Sequence, residues 1–196
     1  MMDRELKRQV QDFERQLDAA LDGGTHGGLY DGLYIIGAIS SLGKTTLVLQ
    51  IADNIARDGQ DVLIFSLEMA RAELMAKSIS RHTLIHCLEH GIPPHNAKTN
   101  RGITSAKRYE YYTEQENAVI AAAIKAYEEY AHHVFITEGV GDIGVNEIRA
   151  TIEKHKRITG NTPVVVVDYL QIIAPYSDRA TDKQNTDKAV LELKRI

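Results

Sequence analysis

The chain has little of what marks several other classes of protein. It contains one cysteine, Cys87, in 196 residues, so an internal disulfide is excluded and a reducing, cytoplasmic location is expected. It has no run of about 18 apolar residues and no signal-peptide core, so no membrane association is predicted. Its 23 basic and 27 acidic residues give a net charge of -4. Because no general positive field surrounds the protein, any contact with nucleic acid must be local.

Apolar segments alternate with amphipathic ones along most of the chain. Buried strands are predicted at residues 33–39, 62–67, 134–137 and 163–173. Helices are predicted between them, at residues 44–57, about 70–90, 114–131 and 145–158. Strands that lack a polar face and alternate with helices are typical of a parallel sheet covered on both sides. The predicted fold class is therefore α/β, with a mostly parallel sheet flanked by helices.

The domain organisation is predicted to be simple. Residues 1–22 form an amphipathic helix or linker whose apolar stripe packs on its own domain or on a neighbouring subunit. Residues 23–196 form one domain, with an irregular insertion or long loop at about 91–113. The last residues, 188–196, have helical spacing and no cap, so we expect the domain to be incomplete at its C-terminus.

A phosphate-binding loop is predicted from "AISSLGKT", which follows an apolar strand and precedes an amphipathic helix. It matches the pattern G-x-x-x-x-G-K-[ST] except for alanine at the first position. Lys44 is expected to reach the β- and γ-phosphates and Thr45 to offer its hydroxyl to Mg²⁺. The alternative is an ordinary helix start capped by a serine. The predicted nucleotide-binding residues are Ala38, Ser40, Ser41, Leu42, Gly43, Lys44, Thr45 and Thr46.

Two carboxylates are predicted to complete the site. Asp168 ends the apolar run "VVVVD", and open α/β sheets place their ligands at the carboxyl ends of such strands, so it is a candidate Mg²⁺ ligand. Glu68 follows the apolar run in "VLIFSLEM" and could accept a proton from a water molecule near the γ-phosphate. A solvated glutamate that caps the next helix is the alternative for Glu68.

Together, "AISSLGKTT", "SLEM" and "DYLQ" resemble the replicative hexameric DNA helicases of the DnaB type, over residues 13–196. The resemblance implies a RecA-like motor core that binds ATP and Mg²⁺ and moves along single-stranded DNA during replication. It implies catalytic roles for Glu68, as the base, and for Lys44. It also implies a ring of six copies and a primase or a helicase loader as partner.

The chain departs from that family in two respects. Lys77 stands where the family has an arginine near the phosphates, and a lysine cannot repeat the bidentate geometry of a guanidinium group. The family's sensor glutamine and arginine finger would lie beyond residue 196. We therefore expect these residues alone to bind nucleotide, to hydrolyse it weakly and to self-associate weakly.

Two other functions share parts of this pattern. A RecA- or RadA-like recombination ATPase has the same core but works as a filament, and "SLEM" with "DYLQ" argues against it. A nucleotide-switched module that binds DNA or a partner without moving along DNA would bind ATP, but DNA would not stimulate its turnover.

Weaker signals concern DNA binding. Arg179 and Lys183 follow the strand that ends at Asp168 and are candidate DNA contacts, by the same resemblance. Residues 98–108 hold four basic and no acidic side chains before "YEYY", which is typical either of a grip on single-stranded nucleic acid or of a solvated loop.

A zinc site and a packing role are the remaining hypotheses. The histidines at positions 82, 86 and 90, beside Cys87, have the helical spacing of zinc ligands, but a third ligand of defined geometry is lacking. Tyr127 and Tyr130 are predicted to pack in the core.

Overall fold

The central feature of the fold is a parallel sheet of three strands. The computed structural model describes residues 32–39, 42–139, 143–169, 173, 175 and 180–196. In this part of the chain the strands are Val62–Ser66 (β1), Val134–Glu138 (β2) and Val164–Asp168 (β3). Their order is β2-β1-β3, and both neighbours run parallel to β1. All three strands end at one edge of the sheet, where Ser66 lies opposite Glu138 and Asp168.

Helices connect the strands. In the described residues they are Lys44–Arg57 (α1), Arg71–His90 (α2), Asn100–Thr104 (α3), Ala106–Tyr109 (α4), Glu114–Glu128 (α5), Val145–Thr159 (α6) and Asp182–Leu193 (α7). Short 3₁₀ turns occur at Pro94–Asn96 and Ala131–His133. None of the helices described here has both the length and the apolar character of a membrane span.

Helices cover both faces of the sheet because successive side chains of a strand point to opposite sides. Val62 and Ile64 of β1 pack against α1, α2 and the end of α5. Leu63 and Phe65 pack on the other face, against α6 and α7. Every residue of β1 is buried, as expected for the central strand of a parallel sheet. The predicted α/β fold with a parallel, helix-flanked sheet is confirmed.

The predicted strand at residues 33–39 is wrong in this structure. The segment has no place in the sheet, and its apolar side chains are exposed, with Ile35 at 64% and Ile39 at 75%. The carbonyl oxygens of Ala38 and Ile39 instead accept hydrogen bonds from the ammonium group of Lys44. Apolar composition favours a strand, but it cannot specify the partner edge that a strand requires.

Three further predictions can be compared with the fold. Residues 91–113, expected to be an irregular insertion or long loop, hold the short helices α3 and α4 between turns and irregular backbone. The strand predicted over 163–173 ends at Asp168. Tyr127 and Tyr130 lie in the core, with exposures of 5% and 2%, which confirms their packing role. The helix predicted in residues 1–22 lies outside the described residues.

Candidate nucleotide-binding site

The loop before α1 leads into a helix N-terminus that no described side chain caps. Gly43, the N-cap residue, has φ 89°, in the left-handed region that a glycine enters without the steric cost of a Cβ. No acidic residue lies in the first turn of α1. The amide groups and the positive end of the helix dipole are therefore suited to an anion such as phosphate. Ser40 and Ser41, the serines of the alternative helix cap, lie outside the described residues.

Lys44 lies over the same loop. Its Nζ donates hydrogen bonds to the carbonyl oxygens of Ala38, at 2.9 Å, and Ile39, at 3.2 Å. The loop is thus folded back on the ammonium group of the first residue of α1. Since an ammonium group has three rotatable donors, it can bind phosphate oxygens from this position at the cost of small changes in the loop.

Two residues that are 123 positions apart in the chain meet beside the loop. The hydroxyl of Thr45 donates a hydrogen bond of 2.8 Å to Oδ2 of Asp168. Thr45 is in the first turn of α1, and Asp168 is the last residue of β3. Mg²⁺ prefers oxygen ligands and keeps several waters beside one or two protein groups and the phosphates of its substrate. A hydroxyl and a carboxylate at this distance fit that chemistry.

Glu68 lies on the turn that joins β1 to α2. It is exposed, two residues beyond Ser66, which is opposite Asp168 in the sheet. The turn is held by a hydrogen bond from the Ser66 hydroxyl to the Met69 carbonyl oxygen, at 2.6 Å, and by one from the Leu67 amide to the Asp168 carbonyl oxygen, at 2.8 Å. Glu68 therefore lies just beyond the carboxyl-terminal end of β1, beside the strand that ends at Asp168, the candidate Mg²⁺ ligand.

Two residues that support this turn were missed from the sequence. The carboxylate of Glu138 accepts a hydrogen bond from the Arg71 amide at the start of α2, a helix without a side-chain cap of its own. The Gly139 amide donates to the Ser66 carbonyl oxygen at 2.9 Å, and a Cβ on Gly139 would lie 2.6 Å from a methyl group of Leu67. The available signal was the acidic residue and glycine that follow the apolar run "VFIT".

The other predicted site residues have few contacts that define a role. Leu42, in the loop, and Thr46, in the first turn of α1, are both exposed. Lys77 is half-buried on α2 and has no hydrogen bond or ion pair with the described residues. Lys183 is exposed in the first turn of α7. Arg179 lies outside the described residues.

The structure does not support the zinc hypothesis. Nε2 of His82 is 2.7 Å from the Tyr130 hydroxyl in the core, where burial, with a further contribution from Arg81 and Arg57, lowers the pKa of His82 to about 4. Cys87 is buried. In the part of the chain that is described, no three His, Cys, Asp or Glu side chains are grouped as metal ligands.

The chain is similar to several known proteins. The family model for the DnaB-like helicase C-terminal domain matches residues 15–196. Replicative DNA helicase DnaC of Bacillus subtilis is 30% identical over 162 residues, and replicative DNA helicase DnaB of Geobacillus stearothermophilus is 28% identical over the same length. Each match covers 82% of this chain but only 30% of the relative.

Solved structures support the same fold. One that is described as an ATPase domain has a TM-score of 0.65 and 23% identity, over 80% of this chain and 49% of that one. A DnaB-like replicative helicase, described with its interactions with primase, has a TM-score of 0.64 and 22% identity, over 80% of this chain and 33% of its own. Since the family model covers more than half of the chain, and curated relatives and solved structures agree with it, the chain belongs to the DnaB-like helicase C-terminal domain family.

Proposed function

We propose that the chain is the ATP-hydrolysing motor domain of a DNA helicase that acts in replication. The observation that carries this proposal is the contact of Thr45 with Asp168 beside a loop whose lysine is already in place. A hydroxyl, a carboxylate and an ammonium group beside a helix N-terminus match the charge pattern of a Mg²⁺-bound triphosphate.

The residues divide the work of hydrolysis between them. Loop amides and Lys44 bind the phosphates and stabilise the charge that develops on the γ-phosphoryl group. Thr45 and Asp168 would hold Mg²⁺, directly or through water, and the ion would supply positive charge beside the phosphates. Glu68 orients a water molecule and accepts its proton as the water oxygen bonds to the γ-phosphorus and ADP departs.

The nucleic-acid side of the function is proposed from family membership. Single-stranded DNA would pass the region after β3, where Lys183 and Arg179 are the candidate contacts. A ring of six copies and a primase or loader as partner extend the proposal. Lys77 would contribute charge, but not bidentate binding, near the phosphates. The cytoplasmic location expected from the single cysteine stays a prediction.

The proposal is tested by ATP hydrolysis measured with and without single-stranded DNA. We expect DNA to stimulate turnover of the natural full-length protein, and Lys44→Ala to reduce turnover by about 100-fold, because one preorganised charge contact is lost. Lys125→Ala, which removes an exposed lysine of α5, is the matched control and should hydrolyse ATP normally. Turnover that DNA does not change would contradict the motor function and favour the nucleotide-switched module.

A further inference from the structure

Residues 98–112 carry an excess of exposed positive charge, three cations against the one exposed carboxylate of Glu110. Arg101, Lys107 and Arg108 are all exposed, and none forms a hydrogen bond or ion pair through its side chain with the described residues. Lys98 differs, since its ammonium group is paired with Glu116 and lies 4.6 Å from the ring centroid of Tyr112. Within the described part of the chain, three of the four cations noted in the sequence therefore have no partner that would compete with an anionic ligand.

The same segment exposes one tyrosine. Tyr111 is 83% exposed, whereas the hydroxyl groups of the other two tyrosines, Tyr109 and Tyr112, are hydrogen-bonded within the segment. The hydroxyl of Tyr109 donates to the Ile103 carbonyl oxygen at 3.0 Å, and that of Tyr112 donates to the Gly102 carbonyl oxygen at 2.9 Å. These two bonds, with one of 3.1 Å from the Tyr111 amide to the Arg108 carbonyl oxygen, hold residues 102–112 together as one small unit that carries Tyr111 and the three cations.

This unit is fixed to the rest of the domain. The Ser80 hydroxyl of α2 donates to the Lys98 carbonyl oxygen at 2.6 Å, and the Lys98 amide donates to the Thr83 hydroxyl at 2.9 Å. The Thr99 hydroxyl accepts from the Gly102 amide and caps α3. A surface that is already ordered loses little conformational entropy when it binds a partner.

We propose that this basic-tyrosine surface, formed by Arg101, Lys107, Arg108 and Tyr111, binds single-stranded DNA. The cations contact phosphates, and a base stacks on the ring of Tyr111. Cations alone would suit any polyanion, but an exposed aromatic ring beside them favours a strand whose bases are unpaired. With a chain charge of -4, such binding has to be local, as it is here.

The surface is separate from the nucleotide site. Glu68 precedes the start of α2, whereas the surface follows its end, and a helix of 20 residues is about 30 Å long. The basic-tyrosine surface would therefore contact single-stranded DNA at a second place, in addition to the candidate contacts after β3. The inference goes beyond the proposed function and does not depend on hydrolysis.

A salt titration of DNA binding tests the role of the cations. Fluorescein-labelled oligothymidine is titrated with the full chain and followed by anisotropy. The variant Arg101→Ala/Lys107→Ala/Arg108→Ala should reduce the slope of log affinity against log salt by about 2, since each phosphate contact on a single strand contributes about 0.7. The matched control is Lys125→Ala/Lys154→Ala/Arg157→Ala, which removes the same charge from exposed positions on α5 and α6. Equal slopes for the two triple variants would overturn the proposal.

A fluorescence experiment tests the stacking at one position. The chain has no tryptophan, so Tyr111→Trp introduces a single reporter whose emission oligothymidine should quench. Ile158→Trp, at a position that is 69% exposed on α6, is the control and should not be quenched. Tyr111→Phe should keep the affinity, and Tyr111→Ala should lower it about fivefold or more.

Other outcomes are also decisive. Unquenched emission from Tyr111→Trp contradicts the proposed stacking. If the triple variant keeps its DNA affinity but loses self-association in light scattering, the surface is an interface between copies and the DNA proposal is wrong. Because these titrations contain no nucleotide, their failure would leave the proposed ATP hydrolysis untouched.

Discussion

Thr45 and Asp168 show how single residues connect distant parts of this chain. Their hydrogen bond of 2.8 Å fixes the carboxylate at the end of β3 against the first turn of α1. The carboxylate carries the negative charge and the hydroxyl adds a neutral oxygen. An ion that binds between them would also bind the phosphates held by the loop.

The substitution Asp168→Asn tests whether the negative charge of this side chain is needed for Mg²⁺ binding. The amide keeps the size of the side chain and can still accept a hydrogen bond from Thr45, but it cannot balance a divalent cation. We expect the Mg²⁺ concentration needed for half-maximal ATP binding to rise about tenfold or more. The control Glu128→Gln removes an exposed carboxylate at the end of α5 and should bind as the natural chain does. An unchanged Mg²⁺ requirement in Asp168→Asn would exclude Asp168 as a ligand.

Glu68→Gln tests the role of the base. We expect ATP affinity to stay the same and the chemical step, measured in a single turnover, to slow by about 100-fold or more, since the amide cannot take a proton from water. Glu73→Gln, an isosteric change in the first turn of α2, is the control. If Glu68→Gln weakens ATP binding and leaves the chemical step intact, Glu68 belongs to the binding contacts instead.

At the scale of elements, Asp61 joins several of them at the amino-terminal ends of the strands. It lies just before β1. Its carboxylate accepts hydrogen bonds from His133 at 2.8 Å, from His155 at 3.0 Å and from Asn161 at 3.0 Å. These partners precede β2, lie in α6 and precede β3. Burial acts to raise the pKa of Asp61, but the three hydrogen bonds outweigh it and lower the pKa to about 2.

Stability should therefore depend on Asp61 in acid. Because its pKa is lowered from 3.8, its contribution is present above 3.8 and is lost as the pH falls through about 2. Asp61→Asn should lower the free energy of unfolding by about 2 kcal/mol at pH 6, with a smaller difference near pH 2. Urea unfolding across this range measures it. His82, whose pKa is lowered to about 4, is present in both proteins, so the quantity to compare is the difference between their free energies of unfolding at each pH. A difference that stays constant with pH would contradict the account of Asp61.

A second buried charge joins α1 to α2. Asp53 is 1% exposed and forms an ion pair of 2.9 Å with Arg81. Burial raises the pKa of Asp53, although Arg81 opposes this shift. The neighbouring Tyr127 hydroxyl also has its pKa raised, to about 12, mainly by burial.

Arg81→Ala should be much more harmful than a similar change at the surface. It leaves the Asp53 carboxylate buried without its ion-pair partner, and we expect a loss of about 3 kcal/mol in the free energy of unfolding. The matched control is Arg149→Ala, because Arg149 is paired with Glu192 at 3.4 Å and its side chain is 46% exposed. That pair should contribute less than about 1 kcal/mol. Equal losses in urea unfolding would show that burial does not set the cost.

These elements also show what the sequence could and could not predict. Lys44, Thr45 and Asp168 were predicted because a local pattern carries both their chemistry and their place on a strand or helix. The partners of Asp61 could not be predicted, since they lie 72 to 100 positions away. The support that Glu138 gives to α2 depends on β2 lying beside β1, which is a property of strand order.

Some local signals were incomplete. Pro93, Pro94 and Gly102 predict a loop, and the short helices within it are held by hydrogen bonds that Tyr109 and Tyr112 donate and that Thr99 accepts. The apolar run at 33–39 predicted a buried strand, yet its side chains are exposed and two of its carbonyl groups bind Lys44. Both cases depend on partners that composition does not encode.

For the molecule as a whole, the two ends of the parallel strands have different roles. Asp61 holds the segments at the amino-terminal ends together, and Thr45, Asp168 and the turn that carries Glu68 lie at the carboxyl-terminal ends. Because the Thr45–Asp168 contact spans 123 positions, the proposed site exists only in the folded chain. Nucleotide binding should therefore stabilise the native state by mass action.

The most direct test of this account is a calorimetric titration of the whole chain with ATP, with and without Mg²⁺. The account predicts Mg²⁺-dependent binding at one site per chain, weakened at least about tenfold by Lys44→Ala, because the ammonium group contacts the phosphates. Binding of equal affinity in the natural chain and in Lys44→Ala, or the absence of binding in both, would contradict it.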